Sequence, residues 1–438
     1  MINKPKGCKD IYGLEAKKWK YVERVIDEVM KKYHYGYIRT PLFESTELFH
    51  RGVGESSDIV TKETYDFIDR GERAMTLRPE GTAGVVRSYL ENKMYGEASQ
   101  PVKFYYNGTM YRYERPQAGR ERELTQFGCE LIGSDDPATD AEVISLAMQI
   151  YRILGLKDVV VHLNSLGDSA SRDTYRKVLL DYFAPHLDSL CDDCKERYKK
   201  NPLRILDCKV DGSSKLFENA PKTIDHLNEE SKTRFDKVCE YLDILEIPYV
   251  VDSNIVRGLD YYNHTVFEIE AATSNGTMAI GAGGRYNGLI EQLGGPATPA
   301  IGFGSGIDRL LLALEHENIE IPVQEELDLY LLYVSEEEKR YALYLTQELR
   351  LNGFMVEMEN VGRSLKAQFK QADRFGAKFT IVLNSSELDE EYVTIKNTKT
   401  KEEEKVTLDA LIYYLDENLM EEDLMCDCGD EECHHHDL

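Results

Sequence analysis

Apolar positions in the first part of the chain follow a helical period and then a strand period. Trp19, Val22, Ile26, Val29 and Tyr33 recur at spacings of three and four, which places them on one face of a helix over residues 15–33. Gly36 then leads into a short strand, 37–40, that Pro41 stops. Short strand patterns follow at 66–68 and 74–77. Two longer ones, 103–114 and 124–132, flank a polar loop holding Pro116 and Gly119, the pattern of a long antiparallel hairpin. Asp136 as N-cap and Pro137 at the first helical position open a helix to about residue 154. Residues 165–235 turn polar and helical and read as an insertion. Strand patterns return at 249–252, 265–271 and 278–281, and residues 300–306 run from a strand into a helix over 307–314. Beyond a linker at 315–326, an apolar run at 327–334 opens an alternation of helices (336–352, 363–375) and strands (355–358, 379–383). That alternation predicts a parallel or mixed sheet covered by helices.

The expected organisation is an α+β unit over 1–320 carrying the insertion, an α/β unit over 325–420, and a tail over 421–438. The tail is acidic, short of apolar residues and expected to be disordered. A length of 438 residues suits two or three domains, and 42% hydrophobic content suits a chain with a real core. No apolar stretch is long enough to cross a bilayer, and the start has no apolar run behind its charges, so the chain is expected in the cytoplasm without a membrane partner. Its nine cysteines should then be mostly reduced thiols. The net charge of −26 argues at first against nucleic acid. Charge is local, however: from Glu417 to Leu438 there are nine acids and no Lys or Arg. A basic strip elsewhere could still meet a large RNA, with modest and salt-sensitive affinity.

Four segments carry unusual chemistry. Leu77-Arg78-Pro79-Glu80-Gly81-Thr82 places an acid and a hydroxyl at a strand-to-helix junction, which suits a helix cap as well as a ligand site. In the hairpin, Arg112 and Glu114 share one strand face, and Gln126, Gly128 and Glu130 share a face of the partner strand. Arg112, Gln126 and Glu130 can therefore meet at one pocket; the plainer reading is a surface laced with salt bridges. Val256-Arg257-Gly258-Leu259-Asp260-Tyr261-Tyr262-Asn263 offers an arginine and two tyrosines for a polar planar ligand. Gly302-Phe303-Gly304-Ser305-Gly306-Ile307-Asp308-Arg309 lets a flat or phosphorylated ligand approach the backbone closely. Neither the phosphate-binding G-x-x-x-x-G-K-[ST] loop nor the dinucleotide G-x-G-x-x-G fingerprint is present, and the HExxH zinc pattern is missing.

Taken in this order, the segments resemble the histidyl-tRNA synthetase family of class II aminoacyl-tRNA synthetases. Arg39-Thr40-Pro41-Leu42-Phe43-Glu44 resembles the first class II motif, the Arg112–Glu130 hairpin the second and Gly302–Arg309 the third. Arg257–Tyr262 and Gly281-Ala282-Gly283-Gly284-Arg285-Tyr286-Asn287-Gly288 resemble the two segments peculiar to the histidine enzymes. Asp308 stands where many class II enzymes have Glu.

The resemblance implies an α+β catalytic domain with an antiparallel sheet flanked by helices, a C-terminal α/β anticodon-binding domain and a homodimer. It implies ATP-dependent ligation of L-histidine to tRNA(His) through histidyl-adenylate, with ATP and Mg²⁺. Arg112, Arg257 and Arg309 would be catalytic. Glu80, Gly81, Thr82, Arg112, Gln126, Glu130, Arg257, Tyr261, Tyr262 and Tyr286 would bind histidine. Arg112, Glu114, Arg120, Gly304, Gly306 and Arg309 would bind ATP, and Gln117 and Arg120 would touch tRNA. Arg363, Lys366, Lys370 and Arg374 recur at three and four along one helix, and within the family that basic stripe becomes a candidate phosphate contact. The alternative is a non-catalytic, histidine-sensing regulatory paralogue, which usually lacks the anticodon domain and the intact Arg-Gly-Leu-Asp-Tyr-Tyr segment.

Two cysteine clusters lie outside the resemblance. Cys191-x-x-Cys194 with Cys208 supplies three soft ligands, one short of a closed zinc site, which Asp192, Asp207 or a partner chain would have to complete. On ligand count, three reduced thiols are the preferred reading. Cys426-x-Cys428 with Cys433-His434-His435-His436 could capture a metal ion or be an unstructured end.

Overall fold

The computed structural model describes residues 2–424, apart from 55, 56, 58, 207, 209, 213, 256–258, 260, 275 and 324–326. It divides into a unit ending at Pro322 and a unit beginning at Val323. Among the described residues the first unit holds β1 (Gly36–Tyr37), β2 (Phe43–Ser45), β3 (Tyr65–Ile68), β4 (Ala74–Leu77), β5 (Val102–Tyr111), β6 (Glu123–Ile132), β7 (Val159–Ser165), β8 (Tyr249–Val251), β9 (Asn263–Thr273), β10 (Gly276–Arg285) and β11 (Ala300–Gly306). Its helices are α1 (Gly13–Lys32), α2 (Thr46–Val53), α3 (Thr82–Glu91), α4 (Pro137–Ile153), α5 (Ser169–Phe183), α6 (Asp192–Lys200), α7 (Lys215–Glu218), α8 (Glu229–Ile244), α9 (Leu289–Gln292) and α10 (Ile307–His316).

Eight of these strands form one sheet in the order β1-β5-β6-β11-β10-β9-β7-β8. Only the end pairs β1–β5 and β7–β8 are parallel. A small antiparallel sheet, β2-β4-β3, stands beside it. One apolar core joins α1, α4, α8 and α10 to the large sheet through residues such as Trp19, Ile26, Phe127, Ile144, Leu242, Phe267 and Leu310. A second holds Val86, Tyr106, Tyr261, Tyr262, Tyr286 and Leu289, and a polar cleft opens beside it.

Local sequence explains the elements that frame the cleft. Asp136 caps α4 by accepting from the Ala138 N–H at 2.9 Å, with Pro137 behind it. The hairpin β5–β6 forms in the register Tyr106↔Gly128 and Phe104↔Glu130. Strands β10 and β11 pair glycine-rich stretches, Gly284 opposite Gly302 and Ala282 opposite Gly304, leaving a shallow floor where a ligand can lie against backbone.

The strand reading of the hairpin needs one correction. β5 ends at Tyr111, so Arg112 and Glu114 belong to the connecting loop rather than to one strand face. Tyr113 donates its backbone N–H to the Glu63 carbonyl at 2.7 Å, drawing the chain away from the β6 ladder. Strand β7 carries no clean alternation of side chains, and the sequence pattern predicts no strand there. Helix α8 starts within the segment read as an insertion, yet Phe235, Val238 and Leu242 enter the main core. Helices α5 to α7 instead enclose a small core of their own.

The second unit holds β12 (Leu329–Leu332), β13 (Val356–Met358), β14 (Phe379–Val382), β15 (Tyr392–Asn397) and β16 (Glu403–Thr407), with α11 (Glu336–Leu351), α12 (Leu365–Arg374), α13 (Ser385–Asp389) and α14 (Leu411–Leu424). Its sheet, β13-β12-β14-β15-β16, is mixed: β12 runs parallel to β13 and β14, and β15 is antiparallel to β14. A reciprocal capping box between Ser335 and Glu338 starts α11. No described helix is long and apolar enough to cross a membrane.

Candidate active site

A cleft in the first unit is lined by Glu80, Thr82, Tyr106, Arg112, Glu114, Arg120, Gln126, Tyr261, Tyr262, Tyr286, Gly304, Gly306 and Arg309, among others. These residues come from the β4–α3 junction, the β5–β6 hairpin, the segment before β9, the end of β10 and the β11–α10 junction. The structure thus brings together the four segments with unusual chemistry as far as they are described. Arg257, with Val256, Gly258 and Asp260, lies outside the described residues.

One end of the cleft is buried and polar. Glu80 accepts backbone N–H groups from Thr82 at 2.7 Å and Ala83 at 2.8 Å, so it caps α3 while lining the cleft. Thr82 and Tyr286 donate hydroxyls to the two oxygens of Glu130, at 2.7 and 2.5 Å. Glu130 is only 1% exposed and sits one layer beneath the lining. The cleft therefore meets this carboxyl through Thr82 and Tyr286. Burial pushes Glu130 up to about 8, against the opposing pull of the Tyr286 and Thr82 hydroxyls. Burial also raises Glu80. Tyr261 packs against Tyr262 and Tyr286 with ring centres 4.6 and 5.7 Å away.

The other end is cationic. Arg309 donates to the carbonyls of Gly119 at 3.0 Å and Ala279 at 2.8 Å, tying the hairpin loop to β10. Burial, then the charge of Arg120, lowers its pKa, with Arg112 adding to the effect. Cations gathered this closely favour an anionic ligand. Arg112 is braced by the Pro79 carbonyl at 2.8 Å, and Arg120 pairs with Glu114 at 3.6 Å.

Residues 7–310 match the family described as histidyl-tRNA synthetase, and residues 321–418 match the anticodon binding domain. The chain is 51% identical over 421 residues to histidine–tRNA ligase 2 of Bacillus anthracis, covering 96% of this chain and 100% of that one. This chain belongs to the histidyl-tRNA synthetase family. It is likewise 51% identical to the histidine–tRNA ligase of Oceanobacillus iheyensis, over 95% of this chain and 97% of that one. The crystal structure of apo Staphylococcus aureus histidyl-tRNA synthetase superposes with a TM-score of 0.82 at 46% identity, covering 95% of this chain and 100% of that one. A Bacillus halodurans protein titled ATP phosphoribosyltransferase regulatory subunit/histidyl-tRNA synthetase shares the fold, with a TM-score of 0.61 at 22% identity over 85% of this chain and 96% of that one.

Within the histidyl-tRNA synthetase fold, several expected residues stand elsewhere than in the cleft wall. Gly81 is set back from it: a Cβ there would lie 2.4 Å from the Tyr106 ring, so only glycine lets that ring reach the cleft. Gln117 is exposed at the hairpin tip and bridges Arg120 through the backbone. Lys366, Lys370 and Arg374 are exposed on α12. Arg363 precedes that helix and is spent on the buried Glu359, at 3.1 and 3.2 Å, so the stripe on the helix itself is three residues long. Cys191, Cys194 and Cys208 do converge, but with Asp211. Asp192 points into solvent, Asp207 is outside the described residues, and so is the tail cluster from Cys426 to His436.

Contributors that escaped the sequence reading include the rim carboxylates Glu121 and Glu268, Tyr106 and Arg285. Tyr106 lines the cleft from β5 opposite Gly128; its only local signal is a place two residues from Phe104 on a strand. Arg285, within a motif noted for its family pattern, is fully buried. It clamps the start of α4 through Asp140 at 2.6 Å, Thr139 at 2.7 Å and the carbonyls of Ser134 and Asp136.

Proposed function

We propose that this chain joins L-histidine to tRNA(His) in two steps. The histidine carboxylate attacks the α-phosphate of ATP, giving histidyl-adenylate and pyrophosphate. The terminal ribose of the tRNA then takes the histidyl group and AMP leaves. The carrying observation is the cleft itself: a buried polar recess for a small ligand opens directly onto a cluster of arginines.

In this reading Arg112 and Arg257 face the α-phosphate and the substrate carboxylate, where negative charge grows as two anions meet. Arg309 and Arg120 hold the outer phosphates, with Glu114 beside them, and Gly304 and Gly306 let the nucleotide lie against β11. Glu80, Thr82 and Gln126 take the α-amino group. Tyr261, Tyr262 and Tyr286 surround the imidazole, and Glu130 fixes the hydroxyls of Tyr286 and Thr82 from below. In its ionised form, which burial confines to above about pH 8 without a bound ligand, Glu130 accepts from both hydroxyls and leaves their lone pairs for N–H groups of the ligand. Catalysis is then positioning and electrostatics, with no covalent nucleophile. The rim carboxylates Glu114, Glu121 and Glu268 are hard oxygen donors of the kind Mg²⁺ takes together with phosphate. That ion would neutralise phosphate charge when ATP binds.

The loop residues Gln117 and Arg120 would meet the tRNA acceptor end, and Lys366, Lys370 and Arg374 its backbone. A homodimer is supported by an apolar patch near the first motif. Phe43 and Phe67 are 52% and 40% exposed with ring centres 6.0 Å apart, beside the exposed Leu42 and Ile68. The anticodon-binding match favours the ligase over the regulatory alternative, and the setting would be cytoplasmic. ATP–pyrophosphate exchange with each common amino acid, without tRNA, tests the proposal. Exchange with histidine alone is the expected result; histidine binding without exchange would favour the regulatory paralogue.

A further inference from the structure

The small core formed by α5 to α7 is built around sulfur. Among the described residues, Cys194 and Cys208 are two of the eight buried in it. Cys191 is the N-cap of α6, and Cys194 lies in its first turn, so the C-x-x-C pair projects from one helix start. The chain then returns, with Gly212 donating its N–H to the Cys208 carbonyl at 2.9 Å. A Cβ at Gly212 would lie 2.2 Å from that carbonyl oxygen, so the position demands glycine. The return brings Cys208 and Asp211 against the first pair, and one ligand atom from each of the four side chains lies within 4.8 Å of all the others.

We infer that Cys191, Cys194, Cys208 and Asp211 form a structural zinc site. Zinc takes thiolates at about 2.3 Å in a tetrahedron, which sets neighbouring sulfurs about 3.8 Å apart. The sulfurs of Cys191 and Cys208 are 3.7 Å apart, and Cys208 Sγ lies 3.8 Å from Asp211 Oδ2. A disulfide would instead need about 2.05 Å between sulfurs. The supporting shell is in place as well. The Cys191 backbone N–H donates to Asp211 Oδ2 at 2.9 Å, and the Asp211 N–H donates to Cys208 Sγ at 3.3 Å. Such bonds orient ligands and favour their charged forms. Four protein ligands leave no open position, so the site staples the insertion and takes no part in the reaction. A core this small, with eight buried members among the described residues, gains from such a staple. The fourth ligand is neither of the acids that sequence spacing suggested.

The test is metal analysis of the full chain purified under reducing conditions, together with cobalt(II) substitution. The expected result is about one zinc per chain and a cobalt form showing thiolate charge-transfer and tetrahedral d–d bands. Cys194→Ser and Cys208→Ser lose the metal, whereas joint Cys426→Ser, Cys428→Ser and Cys433→Ser substitution in the tail leaves it in place. If the cysteine variants fail to fold, Asp211→Asn preserves the turn. It should shift the cobalt spectrum and weaken zinc by at least about tenfold. Two results overturn the site: a zinc-free chain that takes up no cobalt, or metal that leaves only with the tail substitutions.

Discussion

Replacing Glu130 with Gln removes an ionisable group while keeping its shape. The folded carboxyl titrates at about 8 against an ordinary 4.5, and burial is the main cause. The folded state therefore holds this proton more tightly than the unfolded chain does. That advantage is complete below about pH 4.5 and fades as the pH rises towards 8. It amounts to about 3 kcal/mol at pH 6 and nearly vanishes by pH 8, a loss of about 2 kcal/mol across that window. The glutamine variant has no such dependence, so the difference in unfolding free energy between wild type and variant should move by that amount. Buried Glu80 shifts in the same direction but is common to both proteins. Urea unfolding without histidine measures the difference. Trp19, the single tryptophan, is buried in α1 within the first unit's core, so its fluorescence reports that unit. A difference that stays flat between pH 6 and pH 8 would refute the buried, proton-holding Glu130.

Four further outcomes are expected. Arg285→Ala leaves Asp140 only its longer contact with Arg234 at 3.3 Å and removes the donor to the Ser134 and Asp136 carbonyls, so it should cost about 3 kcal/mol by the same Trp19 assay; a loss below about 1 kcal/mol would contradict the clamp. Gly302→Ala would set a Cβ 1.9 Å from a Glu130 oxygen, so the KM for histidine should rise by at least about tenfold, with a smaller change for ATP, in the exchange assay. Arg257→Ala should keep the fold by circular dichroism and lose exchange; normal activity would remove its catalytic assignment. Alanine at Lys366, Lys370 and Arg374 together should raise the KM for tRNA and flatten its salt dependence by about 0.7–0.9 for each phosphate no longer neutralised, while tRNA-free exchange is unchanged.

Elements with strong periodicity were legible in the chain. Helix α1 follows from its apolar stripe, and α4 from its cap and proline, because both signals are local. The hairpin β15–β16 was not. Its buried members, Val393, Ile395 and Val406, are interleaved with charged and polar residues typical of a solvated loop. Pairing with β14 is what turns them inward, and nothing in a short window carries that information.

The site divides along the same physical line. Residue types suggested ligand contacts segment by segment, because glycine, arginine and tyrosine report backbone approach, anion contact and planar recognition without reference to neighbours, and the resemblance to the family joined those segments into one site. Depth and partnership are different properties. Glu130 lies beneath Thr82 and Tyr286 because β11 sets glycine, Gly302, directly opposite it in the sheet, and no spacing within β6 reveals that. Arg363 looks like the first member of a basic stripe until Glu359, four residues earlier and fully buried, takes its charge. Asp211 becomes a ligand only because Gly212 permits the turn that returns it to Cys191. In each case the deciding residue is a glycine or an acid whose own position looks unremarkable. Substitutions at Gly302, Glu359 and Gly212 should therefore disturb function as much as changes to the arginines and cysteines they position.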